Sequence, residues 1–388
     1  MAMASAPQKI DRVLKALSHQ EPDRVPMGEF FWTNFVRRCK QELAVGADFD
    51  PYRYWDLDLI VLNPNMDPRI TGIEVLEDAP DHQVVRTGYG AIVERKRHCP
   101  MPAYRAFETE TFAQMEAFQF DDPRDERRFH GAIDDQINAV GDALNLGLPS
   151  FVDRVHAYAD DFCVFGSVCE IQEQLWRLIG PENVYYKMAE DPVRLGRFIE
   201  RVGDFLVGIV EGQVAAVGDQ LSGLYVWGDI ACTRGLLFAP QYWRDVYKPQ
   251  LQRICAAIHA AGLKVIYHGC GNAAPLFADL IEVGVDAYNP LEAKAGLDVV
   301  QLKRQIGRHW AFNGNINVQV LETNNRDLVQ AEVLPKLNAA KGGGYIVQSD
   351  HSVTSNVDPA TYDYVVQLVR EHGVYPLQLG RYDIDLRA

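Results

Sequence analysis

The stretch "KVIYHGCGNAAPLF", residues 264–277, sets His268 and Cys270 two positions apart, after a run of β-formers and just before Gly271. In extended backbone that spacing turns both side chains to one face. An imidazole and a thiolate together suit zinc, which takes nitrogen and sulfur ligands in tetrahedral geometry and keeps one position open when it is catalytic. H-x-C is a short pattern without the paired spacing of a structural zinc motif, so a plainer reading stands beside it: a hydrogen-bonded histidine and a buried turn cysteine. A zinc site needs a third ligand from another strand end, and His351, Asp350, Glu292 and Asp229 are the available donors.

Asp229, in "VWGDIACTRGLLFAP", follows a strand of Leu, Tyr, Val and Trp. A carboxylate poorly solvated there can act as acid or base or orient a ligand. It can equally be an N-cap or be satisfied by amides of the next loop. Other polar residues also close apolar runs: Glu29, Asn63, Asn65, Glu170, Glu292, Asn313, Asn315, Asp350 and His351. Glu292 has a strong structural alternative, because "LEAKAGLD" reads as a loop into a helix capped by Asp298. Phe30, Phe31, Trp32, Tyr158 and Trp227 lie near strand ends and are candidate walls of an apolar pocket, although aromatics more often fill cores. "GGG" at 342–344 precedes a strand, which fits a helix C-cap and turn better than a phosphate cradle.

Such residues meet only if the elements bring them together. The C-terminal half alternates β-rich runs ("GLYVWGD", "KVIYHGC", "DAYNPLE", "HWAFNGN", "GYIVQSDH") with helix-like segments at about 240–261, 273–283, 297–306, 325–341 and 358–372. This order implies parallel strands with helices packed outside. The N-terminal half adds "RVPMGEFF", "LDLIVLNP" and "DDFCVFGSV". Eight such strands are the number that closes a (β/α)8 TIM barrel, an α/β fold whose site lies at the strand C-termini; a doubly wound sheet shares the periodicity. "GIEVLEDAPDHQVVRTGYGAIVERKR" reads as antiparallel strands, an insertion over about 70–150 between the second and third barrel strands. Asp191 and Pro192 start a long helix to about 217, and Pro249 is placed to kink a helix. No linker is evident, so 1–388 is expected to be one domain.

The chain has 388 residues, 47% of them hydrophobic, enough for a large core. Its formal charge of -15 comes from 53 acidic against 38 basic residues without a basic block, which argues against nucleic-acid or anionic-membrane partners. No segment approaches the roughly 20 apolar residues of a membrane helix, and the start lacks a signal-peptide pattern, so a cytoplasmic protein is expected. Seven scattered cysteines (Cys39, Cys99, Cys163, Cys169, Cys232, Cys255, Cys270) do not form a disulfide framework. A homodimer is left open.

"RVPMGEFFW", "GDIACTRGLLFAPQYWRDVYKPQLQRI", "VIYHGCGN" with "LIEVGVDAYNPLE", "FNGNIN" and "GGGYIVQSDHSV" together resemble the uroporphyrinogen decarboxylase superfamily, in order and over nearly the whole chain. The resemblance implies a (β/α)8 barrel and one of two chemistries: metal-free decarboxylation of a tetrapyrrole, or zinc-dependent methyl transfer to or from a corrinoid protein. The decarboxylase pattern has an arginine-rich loop after "RVP" and an aspartate after the second strand. Here "MGEFFWTNFVRR" supplies Glu29 and aromatics, and "VLNPN" supplies Asn63 and Asn65, with Asp67 slightly late. A polycarboxylate needs cationic partners, so both departures weaken a porphyrinogen substrate. The methyltransferase pattern H-x-C-G matches His268, Cys270 and Gly271, but its last cysteine is replaced by Asp350 and His351.

The expectation is therefore a zinc-dependent methyltransferase working with a corrinoid (cobalamin) carried by a partner protein on a small methylated compound, a methoxylated aromatic or a thiol. The implied ligands are His268, Cys270 and His351. Asp229 and Glu29 are the expected orienting or proton-handling groups, with Trp32, Tyr158, Trp227, Asn63, Asn313 and Glu292 around the substrate. The alternative is a metal-free decarboxylase or lyase on a small acid, in which His268 and Asp229 move protons. A third reading is a barrel that binds a ligand without turnover.

Overall fold

The computed structural model describes residues 4–97, 102–134 and 146–386; Cys99 and parts of the segment 70–150 lie outside them. Among the described residues thirteen strands follow in chain order: β1 (Leu59–Val61), β2 (Glu74–Asp78), β3 (His82–Arg86), β4 (Ala91–Lys96), β5 (Ala103–Phe107), β6 (Cys163–Cys169), β7 (Gly223–Trp227), β8 (Ala231–Cys232), β9 (Gly235–Leu236), β10 (Lys264–His268), β11 (Ala287–Asn289), β12 (Ala311–Asn313) and β13 (Tyr345–Ile346).

Seven of these form one curled parallel sheet in the order β1-β6-β7-β10-β11-β12-β13. They coincide with seven of the eight runs read from the sequence. The eighth, around "RVPMGEFF", runs between the two edges: Gly28 N–H donates to the Val347 carbonyl (3.0 Å), and Met27 carbonyl accepts from Asp58 and Leu59 N–H (2.8 and 3.2 Å). Asp58, fully buried, anchors this segment by accepting from Met27 N–H (2.8 Å), from Arg24 (2.8 Å) and from Arg12.

Strand alternation divides the side chains into two sets. Leu59, Cys163, Phe165, Tyr225, Ile266, Ala287, Ala311 and Ile346 meet inside the curl, where the helix Ala6–Leu17 supplies Val13, Ala16 and Leu17. Those helix residues pack against the strands' N-terminal halves, so the interior is closed at that end by apolar side chains. The opposite set packs under the surrounding helices in one continuous core.

The connecting helices begin with the expected chemistry. Asp191 caps Pro192–Val217 by accepting from Arg194 N–H, and Asp298 caps Val299–Ile306 by accepting from Val300 and Gln301 N–H. The run 240–260 is interrupted by a π turn at Trp243–Tyr247, just before Pro249, whose ring cannot continue the ladder. Gly342, Gly343 and Gly344 all take positive φ after the turn Leu337–Ala340.

Between β1 and β6 the chain forms the antiparallel sheet β2-β3-β4-β5. It is tied to the rest through Tyr89 O–H, which donates to Gln174 Oε1 (3.2 Å) on the helix Ile171–Ile179.

Candidate metal centre at the strand ends

Continuing the inward phase past each apolar position reaches a ring of residues at the strand C-termini: Phe30, Asn63, Ser167, Trp227, His268, Asn289, Asn313 and Gln348. All are uncharged or, for His268, titratable. Their contacts confirm the phase. Ser167 O–H and Trp227 Nε1–H both donate to Asn63 Oδ1 (2.6 and 3.3 Å). The ring of Trp227 lies 5.0 Å from that of His268 and 5.5 Å from that of Phe30.

His268 ends β10 facing inward, and Asp229 reaches it from the loop after the adjacent β7. Cys270 Sγ is 3.6 Å from His268 Nε2, and Asp229 Oδ1 is 3.9 Å from the same nitrogen. Ligand atoms of Asp229, His268 and Cys270 all lie within 4.8 Å of one another, the one such group of three among the described residues. The turn that carries Cys270 is held on two sides. Asp229 Oδ1 accepts from Cys270 N–H (2.8 Å) and Glu292 Oε2 from Gly271 N–H (2.9 Å).

Burial pushes the Cys270 thiol well above its usual range, and the carboxylates of Asp229 and Glu292 push it further the same way. Behind Asp229 lies the buried Glu173, paired with Arg177 at 3.0 Å. Acidic groups thus crowd a thiol and an imidazole whose Nε2 points at them.

On its other side His268 Nδ1 meets Asn289 Oδ1 at 2.6 Å. Asn289, fully buried, donates through Nδ2 to the Asn313 carbonyl (3.0 Å), and Asn313 Nδ2 donates to the Tyr225 hydroxyl.

The structure gathers Asp229, His268, Cys270, Glu292, Trp227, Asn63 and Asn313 at one end of the sheet and separates the other candidates from the cluster. His351, the expected third ligand, is not in the group of three: its ring packs edge-on against Trp32 at 5.5 Å, and its Nδ1 lies 3.3 Å from the Ser352 carbonyl. The donor in its place is Asp229, because β7 is the neighbour of β10, whereas β13 lies three strands away. Trp32 shares His351's position rather than Trp227's.

Glu29 precedes the inward Phe30 and so faces outward. It accepts from Ser349 O–H (2.6 Å) and Phe30 N–H (2.9 Å) beside Tyr362, and burial raises its carboxyl to about 7. Tyr158 is five residues before the first residue of β6, at the end opposite the ring, where the Arg53 guanidinium sits 4.7 Å over its face. Asp350 is also spent structurally, accepting from Ala293 and Val318 N–H (both 2.9 Å). Glu170 caps the helix Ile171–Ile179 and is raised to about 8 by burial.

Asn289 was not among the expected site residues. "DAYNPLE" directed attention to Glu292, although counting by two from Ala287 arrives at Asn289 as the strand-end residue facing inward.

A family model described as uroporphyrinogen decarboxylase (URO-D) matches residues 175–372, just over half of the chain, a span that holds Asp229, His268, Cys270 and Asn289. Uroporphyrinogen decarboxylases of Shewanella halifaxensis and Shewanella piezotolerans are each 24% identical over 387 residues, covering 94% of this chain and 97% of the relative. Among solved structures, a methyltransferase from Methanosarcina mazei superposes with a TM-score of 0.61 at 15% identity, over 93% of this chain and 98% of that one, a likeness of fold. The matched model, spanning β7 to β13 and the cluster they carry, places the chain in the uroporphyrinogen decarboxylase family.

Proposed function

We propose that this protein is a zinc-dependent methyltransferase of that family, moving a methyl group between a small methylated compound and a corrinoid carried by a partner protein. The observation that carries the reading is the convergence of Asp229, His268 and Cys270 within 4.8 Å. One oxygen, one nitrogen and one sulfur donor from adjacent strands form the three-ligand set that leaves a position open in catalytic zinc sites. The charge count agrees. Glu292 is offset by Lys294 at 3.1 Å, whereas Asp229 faces the His268 imidazole and the Cys270 turn, and a divalent cation there would offset its charge.

Bound there, zinc supplies Lewis acidity, which lowers the pKa of an acceptor thiol or polarises the oxygen of a methyl ether. The chain's own residues do the rest. His268 presents Nε2 to the cluster, and Asp229 holds the Cys270 turn through its backbone N–H while contributing a carboxylate oxygen. Trp227 and Phe30 supply an apolar wall beside the imidazole, suited to a methyl group or an aromatic ring. The ring residues Asn63, Ser167 and Asn313 are themselves neutral, and a tetrapyrrole's carboxylates need cationic partners.

We read the curled sheet, bridged along both edges by residues 26–28, as a (β/α)8 barrel with β2–β5 as its insertion. The M. mazei methyltransferase supports the reading at the level of fold, and the H-x-C-G run supports it at the level of residues.

The test is elemental analysis of the purified protein together with demethylation of methylcobalamin in the presence of a thiol. Wild type is expected to carry about one zinc per chain and to demethylate. Cys270→Ala and Asp229→Ala lose the metal and the reaction, whereas His351→Ala keeps the metal. Full activity of a zinc-free protein, unchanged in Cys270→Ala, would overturn the proposal.

A further inference from the structure

We infer that Asn289 is a positioning residue that locks His268 as the Nδ1–H tautomer, with Asn313 holding Asn289 in the orientation that does so. For the metal this rests on the function proposed above; for the tautomer it rests on hydrogen bonding alone.

Asn289 has one acceptor and one donor end, and the two ends meet different partners. The end 3.0 Å from the Asn313 main-chain carbonyl must be the NH2, since a carbonyl only accepts. That leaves Oδ1 at 2.6 Å from His268 Nδ1, and two acceptors at that separation repel. Nδ1 must therefore carry the proton. The competing arrangement, with the amide turned over and Nε2 protonated, sets Asn289 Oδ1 against the Asn313 carbonyl at 3.0 Å, in a site where Asn289 and Asn313 are both fully buried. Burial keeps that repulsion from being screened by bulk solvent, so the first arrangement prevails.

The pair is rigid for a simple reason. His268 and Asn289 are register partners on β10 and β11, so their backbones share the ladder that aligns their side chains, and Gly269 N–H donates to the Asn289 carbonyl at 2.8 Å. With Nδ1 committed, the lone pair of the neutral ring is on Nε2, which faces Cys270 Sγ and Asp229 Oδ1. A metal-ligating histidine ordinarily gives its second N–H to such a partner, which fixes tautomer and ring orientation. Here a neutral amide takes that place.

The test is nitrogen NMR of histidine-labelled, metal-free, full-length protein, about two pH units above the ordinary histidine pKa of ~6.5, with the His268 signals identified by their loss in His268→Gln. The expected result is the Nδ1–H pattern for His268, against the Nε2–H form that free histidine prefers. Asn289→Leu is expected to release that preference and to weaken zinc binding by about 10- to 100-fold with near-UV circular dichroism unchanged. Asn289→Asp keeps an acceptor toward Nδ1 and is expected to keep the Nδ1–H pattern, which covers the case in which the leucine variant does not fold. An Nε2–H pattern in wild type or in Asn289→Asp overturns the inference. An Nδ1–H pattern in a protein that binds no zinc upholds it and counts against the zinc reading alone.

Discussion

His268 and Glu29 were both candidates for proton work, and their surroundings assign them different tasks. The His268 ring has its two nitrogens in different company, an amide on one side and the acidic cluster on the other. Glu29 sits outside the ring, tied to Ser349 and Phe30, with its carboxyl raised to about 7 by burial. Because the folded chain holds this proton more tightly than the unfolded chain, the associated stability is fully present below the ordinary carboxyl pKa. It is lost as pH rises from about 4.5 through about 7. Glu29→Gln, which imitates the protonated form, is expected to flatten this part of the profile while leaving zinc content unchanged. Melting midpoints of the two proteins across that pH range check it. If the profiles stay parallel, Glu29 is ionised throughout and its burial is compensated by its hydrogen bonds.

At the scale of the element, the turn after β10 is where sequence becomes site geometry. Gly271 has φ +78°, and a Cβ built there would lie 2.5 Å from the Cys232 backbone carbonyl of the β8–β9 hairpin. Asn272 N–H donates to that carbonyl at 2.9 Å, so the two loops interlock. Gly271→Ala is expected to lower stability by about 1–3 kcal/mol and to weaken zinc binding by moving Cys270, whereas the same change at Gly262, which meets nothing within 4 Å, strains only its own φ. Denaturant titration and zinc affinity of both variants separate the two effects. The strands themselves were legible in advance, because β-rich runs at regular spacing imprint on composition. The third donor was not. Strand order in the expected barrel already sets β7 beside β10 and so favours Asp229, but the H-x-C-G resemblance, whose last ligand follows the final strand, implies His351 instead. Asn289 follows from a strict count by two along β11 from the inward Ala287, whereas Glu292, three positions later, is the more conspicuous residue type. Tyr158 is near a strand in sequence but precedes β6, which puts it at the strand's N-terminal end, away from the ring.

For the molecule as a whole, a ligand that binds only the native state raises stability by mass action. Removing zinc by chelation is expected to lower the melting midpoint by a few degrees, corresponding to about 3 kcal/mol when free metal stands at a hundred times its Kd. In Cys270→Ala the chelator is expected to have no effect. Differential scanning calorimetry with and without chelator measures both, and an equal response in the two proteins would mean that the metal binds elsewhere. The apolar interior behind helix Ala6–Leu17 limits where small molecules enter, since the strands' N-terminal side is filled by Val13, Ala16 and Leu17. No helix among the described residues is long and apolar enough to cross a membrane.

The cluster draws its donors from β7 and β10 and their loops, and its histidine support from β11 and β12, four strands that are consecutive in the sheet. The remaining arc of the rim, from β13 through residues 26–30 to β1 and β6, carries none of these groups but carries Phe30, Asn63 and Ser167. The groups that could hold a metal and its histidine thus occupy one arc of the rim, whereas the apolar wall spans both arcs, with Trp227 on β7 and Phe30 on the segment before β1. Substitutions at Phe30, Asn63 or Ser167 can retune which compound is accepted while Asp229, His268 and Cys270 stay intact, so likeness over residues 175–372, which hold the cluster and none of those three, does not fix what a relative consumes.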